Sequence, residues 1–293
     1  MPEEKFKIAL AQIAPVLGDL EKNIATHVAW IERAIGEGAH AIIFPELSLT
    51  GYTLRDLNFD LALNPKYDER LQQLRELSSR ITIICGGVEE SKEFGIYNSA
   101  FVFADGECIA THRKVYPPTY GIFEELRYFS AGSSARAFTT NIDRIGVLVC
   151  EDLWHLSLPY LLAADGTNTI ITIAASPTKL TGSNGAIPKN YEINSQHHCA
   201  YARLLSSYIV FVNRVGFEDG VNFWGGSEIV NPNGEVQVAA KFFEEDLVFG
   251  EIDLNEVRRA RRSSRHHLDE NHSLTQSLLR QIIRDQNNND ETV

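Results

Sequence analysis

Short apolar runs rich in Val, Ile and Phe alternate along the chain with amphipathic stretches, and there is no fixed-period repeat and no low-complexity linker. Residues 6–14 read as a strand. Residues 23–38 follow as a helix, with Ile24, Val28, Ile31 and Ile35 at spacings of four, three and four before a glycine terminator. Residues 41–46 form a buried strand interrupted by Pro45, 65–80 are helical, and 81–90 are a further strand. Asp105-Gly106 lies between two runs of strand formers and predicts a hairpin over 98–115. A strand over 144–150 ends on Cys150, a helix spans 156–166, and a strand spans 168–176. Ile193, His197, Ala200 and Leu204 keep helical spacing, 208–217 is a strand, and Asn233-Gly234 centres a second hairpin over 227–240. A strand over 247–254 closes the sheets. Strands and helices mix without an internal boundary, which predicts one α/β domain with mixed sheets over 1–255. Residues 256–293 read as a partly helical tail, either dimer-contacting or disordered at its polar end.

Composition narrows the function without naming it. The 293 residues are 44% apolar and 23% charged, as in an ordinary globular protein with a sizeable core. A net charge of -12 argues against nucleic-acid binding. The basic run 258–267 is short, and a solvated or subunit-contacting segment explains it better than a polyanion site. The N-terminus has no apolar stretch of signal-peptide or membrane-span length, which predicts a cytoplasmic protein. The four cysteines, at 85, 108, 150 and 199, show no C-x-x-C, so neither a disulfide framework nor a zinc cluster is expected. Cys85 and Cys199 read as core residues, Cys108 lies beside a turn, and His197 and His198 read as helix surface and core. No G-x-G-x-x-G or P-loop pattern follows a strand, and nothing calls for a metal or organic cofactor.

The segment "VLVCEDLWH" poses the chemical question. Glu151 and Asp152 follow Cys150 directly and should raise its thiol pKa. Either Cys150 is a core residue, or a base and a positive charge come from elsewhere. Ligands of open α/β sheets bind at the carboxyl ends of strands, and two other strands end on suitable groups. "AIIFPEL" carries Glu46, and "THRKVY" carries Lys114. Singly, each has a bland reading as a cap, a surface charge or a core thiol. Together they supply a base for the thiol proton, a cation for the thiolate and the oxyanion, and backbone N–H groups after Cys150 to complete the oxyanion hole.

Glu46 in "FPEL", Lys114 in "HRKVY" and Cys150 in "CEDLW" resemble, in order and spacing, the triad of the carbon–nitrogen hydrolase, or nitrilase, superfamily. The resemblance runs from about residue 6 to about residue 255. It implies a four-layer α-β-β-α sandwich, usually paired into a dimer or higher homo-oligomer. It also implies that Glu46 is the general base, that Lys114 stabilises the tetrahedral intermediate, and that Cys150 forms a thioester. A second glutamate after the lysine falls on Glu125 in "FEELRYF", with Glu124 one residue away.

"KVYPPTYGIFEELRYFSAG", "CEDLWH" and "AASP" are similar to the glutaminase domains of glutamine-dependent NAD synthetases. That similarity implies a small amide substrate, with glutamine as the first expectation, and a separate synthetase as a partner that uses the ammonia. It places Glu151 against a substrate α-ammonium and Ser176 near the substrate's far end. Tyr120, Phe123 and Trp154 form an apolar wall or, alternatively, belong to the core. The run after Ser176 departs from the pattern. The position where those domains can carry a basic residue for the α-carboxylate is Gly182 here, with Lys179 and Lys189 as substitutes. The alternatives are therefore an amidase for another small ω-amide or an N-carbamoyl amine, and an inactive scaffold or regulatory subunit.

Overall fold

The structure is a computed structural model that describes residues 4–178 and 187–290. Lys179 and Gly182 lie outside the described residues.

β1 (Lys5–Gln12), α1 (Leu20–Gly36) and β2 (Ala41–Ile43) open the chain. Asp19 caps α1 by accepting from the Lys22 N–H, and the helix buries Leu20, Ile24, Ile31 and Ala34. The short helices α2 (Asn58–Leu61) and α3 (Gln72–Leu77) precede β3 (Thr82–Glu90), β4 (Ile96–Ala104) and β5 (Glu107–Arg113). Asp105 and Gly106 both have positive φ, 54° and 85°, and close the β4–β5 hairpin where the dipeptide predicted it. Then come α4 (Glu125–Tyr128), β6 (Ala137–Thr139), β7 (Arg144–Val149), α5 (Ser157–Ala164), β8 (Thr169–Ala174) and β9 (Pro177–Thr178). α6 (Lys189–Leu205), β10 (Tyr208–Asn213), β11 (Val215–Glu218), β12 (Val221–Trp224), β13 (Glu228–Val230) and β14 (Val236–Ala239) follow. β15 (Asp246–Asp253), α7 (Leu254–Ser263) and α8 (His272–Asp290) end the described chain.

Two six-stranded sheets result, in the orders β15-β1-β2-β3-β4-β5 and β14-β13-β10-β8-β7-β6, with a small sheet β11-β12-β9 beside them. Each large sheet is parallel at its centre and antiparallel at its edges. Alternate side chains explain the stacking, because both faces of the central strands are apolar. Ile8 and Leu10 of β1 meet Val147, Val149, Ile171 and Val210 in a core between the sheets. Ala9 and Ala11 of β1 face outward onto Ile31 and Leu74 of the helices. On the far side, Leu148, Ile170 and Ile209 pack against Leu158 and Leu162 of α5 and Ala202 of α6. The molecule is thus a four-layer α-β-β-α sandwich, and each fully buried Leu, Ile or Val in it contributes about 1.5–3 kcal/mol.

Three local expectations need correction. The strand expected over 208–217 is two strands in different sheets, because the chain bends at the buried Arg214, which pairs with Glu218 at 2.7 Å. The inward face of α6 is Asn194, His198 and Ala202, whereas Leu204 is 60% exposed. A buried carboxylate, Glu228, draws His198 inward and turns the apolar spacing away from the core. The packed chain also continues past residue 255. Val257 joins the core between the sheets, and Arg261 donates to the Thr167 carbonyl. α8 then leaves Leu274, Leu278, Leu279, Ile282 and Ile283 about half exposed along one stripe.

Candidate active site

Three chain segments meet at the carboxyl ends of the central strands. The first carries Glu46, three residues beyond β2. Pro45 has no N–H to extend the ladder, and Leu47 turns the chain with a φ of 49°. The turn lies against β3 at Gly86, where a Cβ would stand 2.3 Å from the Leu47 nitrogen and 2.7 Å from the Pro45 oxygen. Only glycine permits this approach, and it seats Glu46 in the interior.

Lys114 follows β5 directly. Its N–H donates to the Asn98 carbonyl at 2.9 Å, and its carbonyl accepts from Gly132 at 2.7 Å. Cys150 begins a 3₁₀ turn, Cys150–Trp154, at the end of β7. Its φ of 48° is a left-handed conformation for a residue with a side chain, a strain of about 1–3 kcal/mol.

Asp152 fastens the second and third segments together. Oδ1 accepts from the Val115 and Tyr116 N–H groups at 2.9 and 3.0 Å, while Oδ2 accepts from Val149 at 3.2 Å and pairs with His112 Nε2 at 2.8 Å. The residue is fully buried.

At the centre lie two carboxylates and one ammonium, all buried. Lys114 Nζ donates to Glu46 Oε1 at 2.8 Å and to Glu125 Oε1 at 2.7 Å. Glu46 Oε1 also accepts from Asn98 at 2.7 Å, and Glu46 Oε2 accepts from the Ala175 N–H at 2.7 Å. Tyr52 donates to Glu125 at 2.5 Å. Ala175 follows β8 in the second sheet, so Glu46 spans the two sheets, and the same Ala175 N–H faces Cys150.

The electrostatics follow from burial and these contacts. Burial works against the Lys114 charge, but Glu125 and Glu46 outweigh it and hold the ammonium well above the usual lysine range. Burial raises Glu125, with Glu46 adding to the effect and Lys114 opposing it. The Cys150 thiol is pushed well up, first by burial and then by Glu46, while Lys114 pulls it down. The adjacent acids are not what raises it. Asp152 turns toward backbone N–H groups, and Glu151 accepts from the Tyr120 hydroxyl at 2.8 Å. Cys150 therefore rests as a thiol and needs a base before it can attack a carbonyl.

The remaining sequence candidates divide between two sides. Glu125 is buried and Glu124 exposed, which separates the adjacent pair. Phe123 lines a cavity of about 320 Å³ with Tyr52, Glu125, Phe129 and Phe223. Trp154 and Ser176 instead line a cavity of about 10 Å³ with Cys150, Asn194, His197 and His198. Tyr120, mostly exposed, stands over Glu151 and meets Phe123 edge-on. The three aromatics are thus not one wall, because the turn after Cys150 carries Trp154 toward α6. Ser176 Oγ accepts from Trp224 Nε1 at 3.1 Å, and Lys189 is exposed at the start of α6. Tyr52, Asn98, His112 and Glu228 were not singled out from the sequence, and Asp152 and His198 were named there without a part in the site. Only Asp152 carried a signal, its place beside Cys150. Among the described residues no group of three or more His, Cys, Asp or Glu is arranged to hold a metal ion.

Comparisons with known proteins identify the family and the fold. The chain is 33% identical over 276 residues to the glutamine-dependent NAD(+) synthetase of Acinetobacter baylyi, covering 94% of this chain and 49% of that protein. It is 32% identical to the enzyme of the same name from Thermotoga maritima, covering 87% and 43%. The chain thus spans about half the length of these curated relatives. The structure of glutamine-dependent NAD+ synthetase from Acinetobacter baumannii superposes with a TM-score of 0.77 at 33% identity, covering 86% of this chain and 46% of that one. A carbon-nitrogen hydrolase from Helicobacter pylori shares the fold over 95% of this chain and 99% of its own, with a TM-score of 0.81 at 23% identity. Residues 7–262 match the Carbon-nitrogen hydrolase family model, and the chain, a carbon–nitrogen hydrolase built on the nitrilase-type sandwich, belongs to that family.

Proposed function

We propose that this hydrolase releases ammonia from a small primary amide through a cysteine thioester, with glutamine-like amides as the first substrates. The observation that supports it best is the buried Glu46–Lys114–Glu125 cluster set against a thiol on a left-handed turn. Glu46 takes the Cys150 proton as sulfur attacks the amide carbon, and Lys114 with the backbone N–H after Cys150 receives the oxyanion. Glu46 returns the proton to the leaving nitrogen, ammonia departs, and the acyl group remains on sulfur. A water then gives its proton to Glu46 and attacks the thioester, releasing the acid and restoring the thiol. Glu125 and Tyr52 keep Lys114 in place. Glu151 and Tyr120 meet a substrate ammonium, and Ser176 and Trp154 border the acyl group. The chemistry calls for no cofactor.

The names of the relatives favour glutamine and a synthetase that consumes the ammonia. The glycine at position 182 favours a second reading, an amidase for another ω-amide or N-carbamoyl amine. A scaffold role leaves the buried charge cluster without a purpose. We place the protein in the cytoplasm as a homodimer or larger assembly. No helix among the described residues is long and apolar enough to cross a membrane.

The test is ammonia release from glutamine, asparagine, glutaramate, N-carbamoylputrescine and aliphatic amides, with Cys150→Ala as the blank. Preference for glutamine supports the first reading, and preference for an amide lacking the α-carboxylate supports the second. Cys150→Ala should lose at least about a thousandfold in kcat and keep its melting temperature, because removing a thiol leaves little cavity. Substantial turnover by that variant would sink the mechanism.

A further inference from the structure

We propose that Asn98 is a positioning residue that decides which oxygen of Glu46 serves as the base: with Lys114 it occupies Oε1 and leaves Oε2, beside the Cys150 sulfur, to take the proton. The inference rests on the amidohydrolase reading above and adds one residue to that site.

Asn98 is 1% exposed and lies within β4, opposite Val88 of β3. Its side-chain nitrogen donates to Glu46 Oε1 at 2.7 Å and, at a longer 3.5 Å, to Glu125 Oε2. Its backbone carbonyl accepts from the Lys114 N–H at 2.9 Å. One residue thus touches all three members of the buried charge cluster. The partners fix which way the amide faces, because a carbonyl oxygen turned toward two carboxylates would be repelled. Oδ1 is left without a hydrogen-bond partner among the described residues, while both amide hydrogens go to carboxylates.

Counting acceptor sites identifies the base oxygen. A carboxylate oxygen has two lone pairs. On Glu46 Oε1 they are taken by Lys114 Nζ at 2.8 Å and by Asn98 Nδ2 at 2.7 Å. Oε2 accepts from the Ala175 N–H at 2.7 Å and keeps its second lone pair free among the described residues. The same N–H faces Cys150, which sets Oε2 and the sulfur side by side. The thiol proton therefore passes from Sγ to Oε2 as the sulfur electron pair bonds to the amide carbon, and Oε2 gives that proton to the leaving nitrogen. Lys114 cannot fix this choice unaided, because its flexible stem is shared with Glu125. Glu46, Lys114 and Cys150 all stand just beyond strand ends, whereas Asn98 stands inside a strand, so its amide is the rigid reference for the Glu46 carboxylate. Without that amide, Oε1 regains a free lone pair and the carboxylate a second orientation.

The test is a double-mutant cycle on Asn98 and Glu46, read by ammonia release and by alkylation of Cys150 with iodoacetamide, which requires no turnover. Asn98→Ala should lower kcat at least about tenfold on the preferred amide and leave KM within about threefold. It should also slow alkylation at least about fivefold when Glu46 is present, and leave the rate within about twofold in Glu46→Gln, where there is no base left to position. Equal slowing in both backgrounds would make Asn98 a packing residue and overturn the inference, as would a wild-type kcat in Asn98→Ala. Asn98→Ser, which carries a single hydroxyl donor, takes its place in the cycle if the Ala variant does not fold, and the same contrast between backgrounds is expected. Either adverse result leaves the amidase reading intact. Failure of wild type to release ammonia from every amide would instead overturn that reading, and this inference with it.

Discussion

Lys114 shows how one residue serves two ends. Its ammonium is the only cation within hydrogen-bond distance of Glu46 and Glu125 among the described residues, so removing it leaves two buried carboxylates without a counter-charge. Lys114→Met should therefore lose about 3–5 kcal/mol of stability as well as activity. Adding Glu125→Gln should restore part of the stability by removing one of the two charges, without restoring turnover. Urea unfolding beside an ammonia assay separates the two effects, and recovery of both together would mean that Lys114 has no role in the chemistry. Glu46, Lys114 and Cys150 were legible as candidates because each is a reactive side chain at the end of a strand read from the sequence. Asn98, Tyr52 and Glu228 were not, because their partners lie 52, 73 and 30 residues away in sequence and only the folded sheets join them.

At the scale of elements, the site depends on how turns are pinned to strands. Asp152 ties the segment after Lys114 to the turn that begins at Cys150, and its carboxylate accepts from three backbone N–H groups. Asp152→Asn puts a donor where an acceptor is needed and should cost about 1–3 kcal/mol. With the turn loosened, kcat should fall at least about tenfold, with KM little changed. A kcat equal to wild type would show that the turn holds without the clamp. The sequence misread this residue as a second acid lowering the reactivity of Cys150, because position beside a thiol does not show which way a carboxylate points. The hairpin at Asp105-Gly106 was legible because its turn chemistry is local. The inward face of α6 was not, because apolar spacing assumes an apolar core, and Glu228 takes His198 into this one.

Over the whole molecule, burial of titratable groups sets the pH range of stability. His27, between the Asn23 carbonyl and Ser48, is lowered by burial to about 4. In the unfolded chain a histidine titrates near 6.5, so this contribution is complete above about 6.5 and lost as the pH falls toward 4, about 3 kcal/mol in all. Burial raises the thiols of Cys85, Cys108 and Cys150 and the phenol of Tyr208. Unfolded thiols ionise near about 8.5, so their contribution is complete below that and lost as the pH rises. Urea midpoints should therefore form a plateau between about pH 6.5 and 8.5, and His27→Gln should flatten its acid side. An acid side as steep in that variant would place the dependence elsewhere. The layered order of the sandwich came from the family resemblance, since the apolar pattern by itself gave only one α/β domain with mixed sheets, and the stripe along α8 has no counterpart in the sequence reading. The bond from Ala175 to Glu46 has one more consequence. Because Glu46 and Cys150, the proposed base and nucleophile, are aligned by strands of opposite sheets, turnover on that reading works as a gauge of how the two halves of the sandwich are registered. Activity and sheet structure should then vanish along one denaturation curve, and no dormant, still-folded form should precede unfolding.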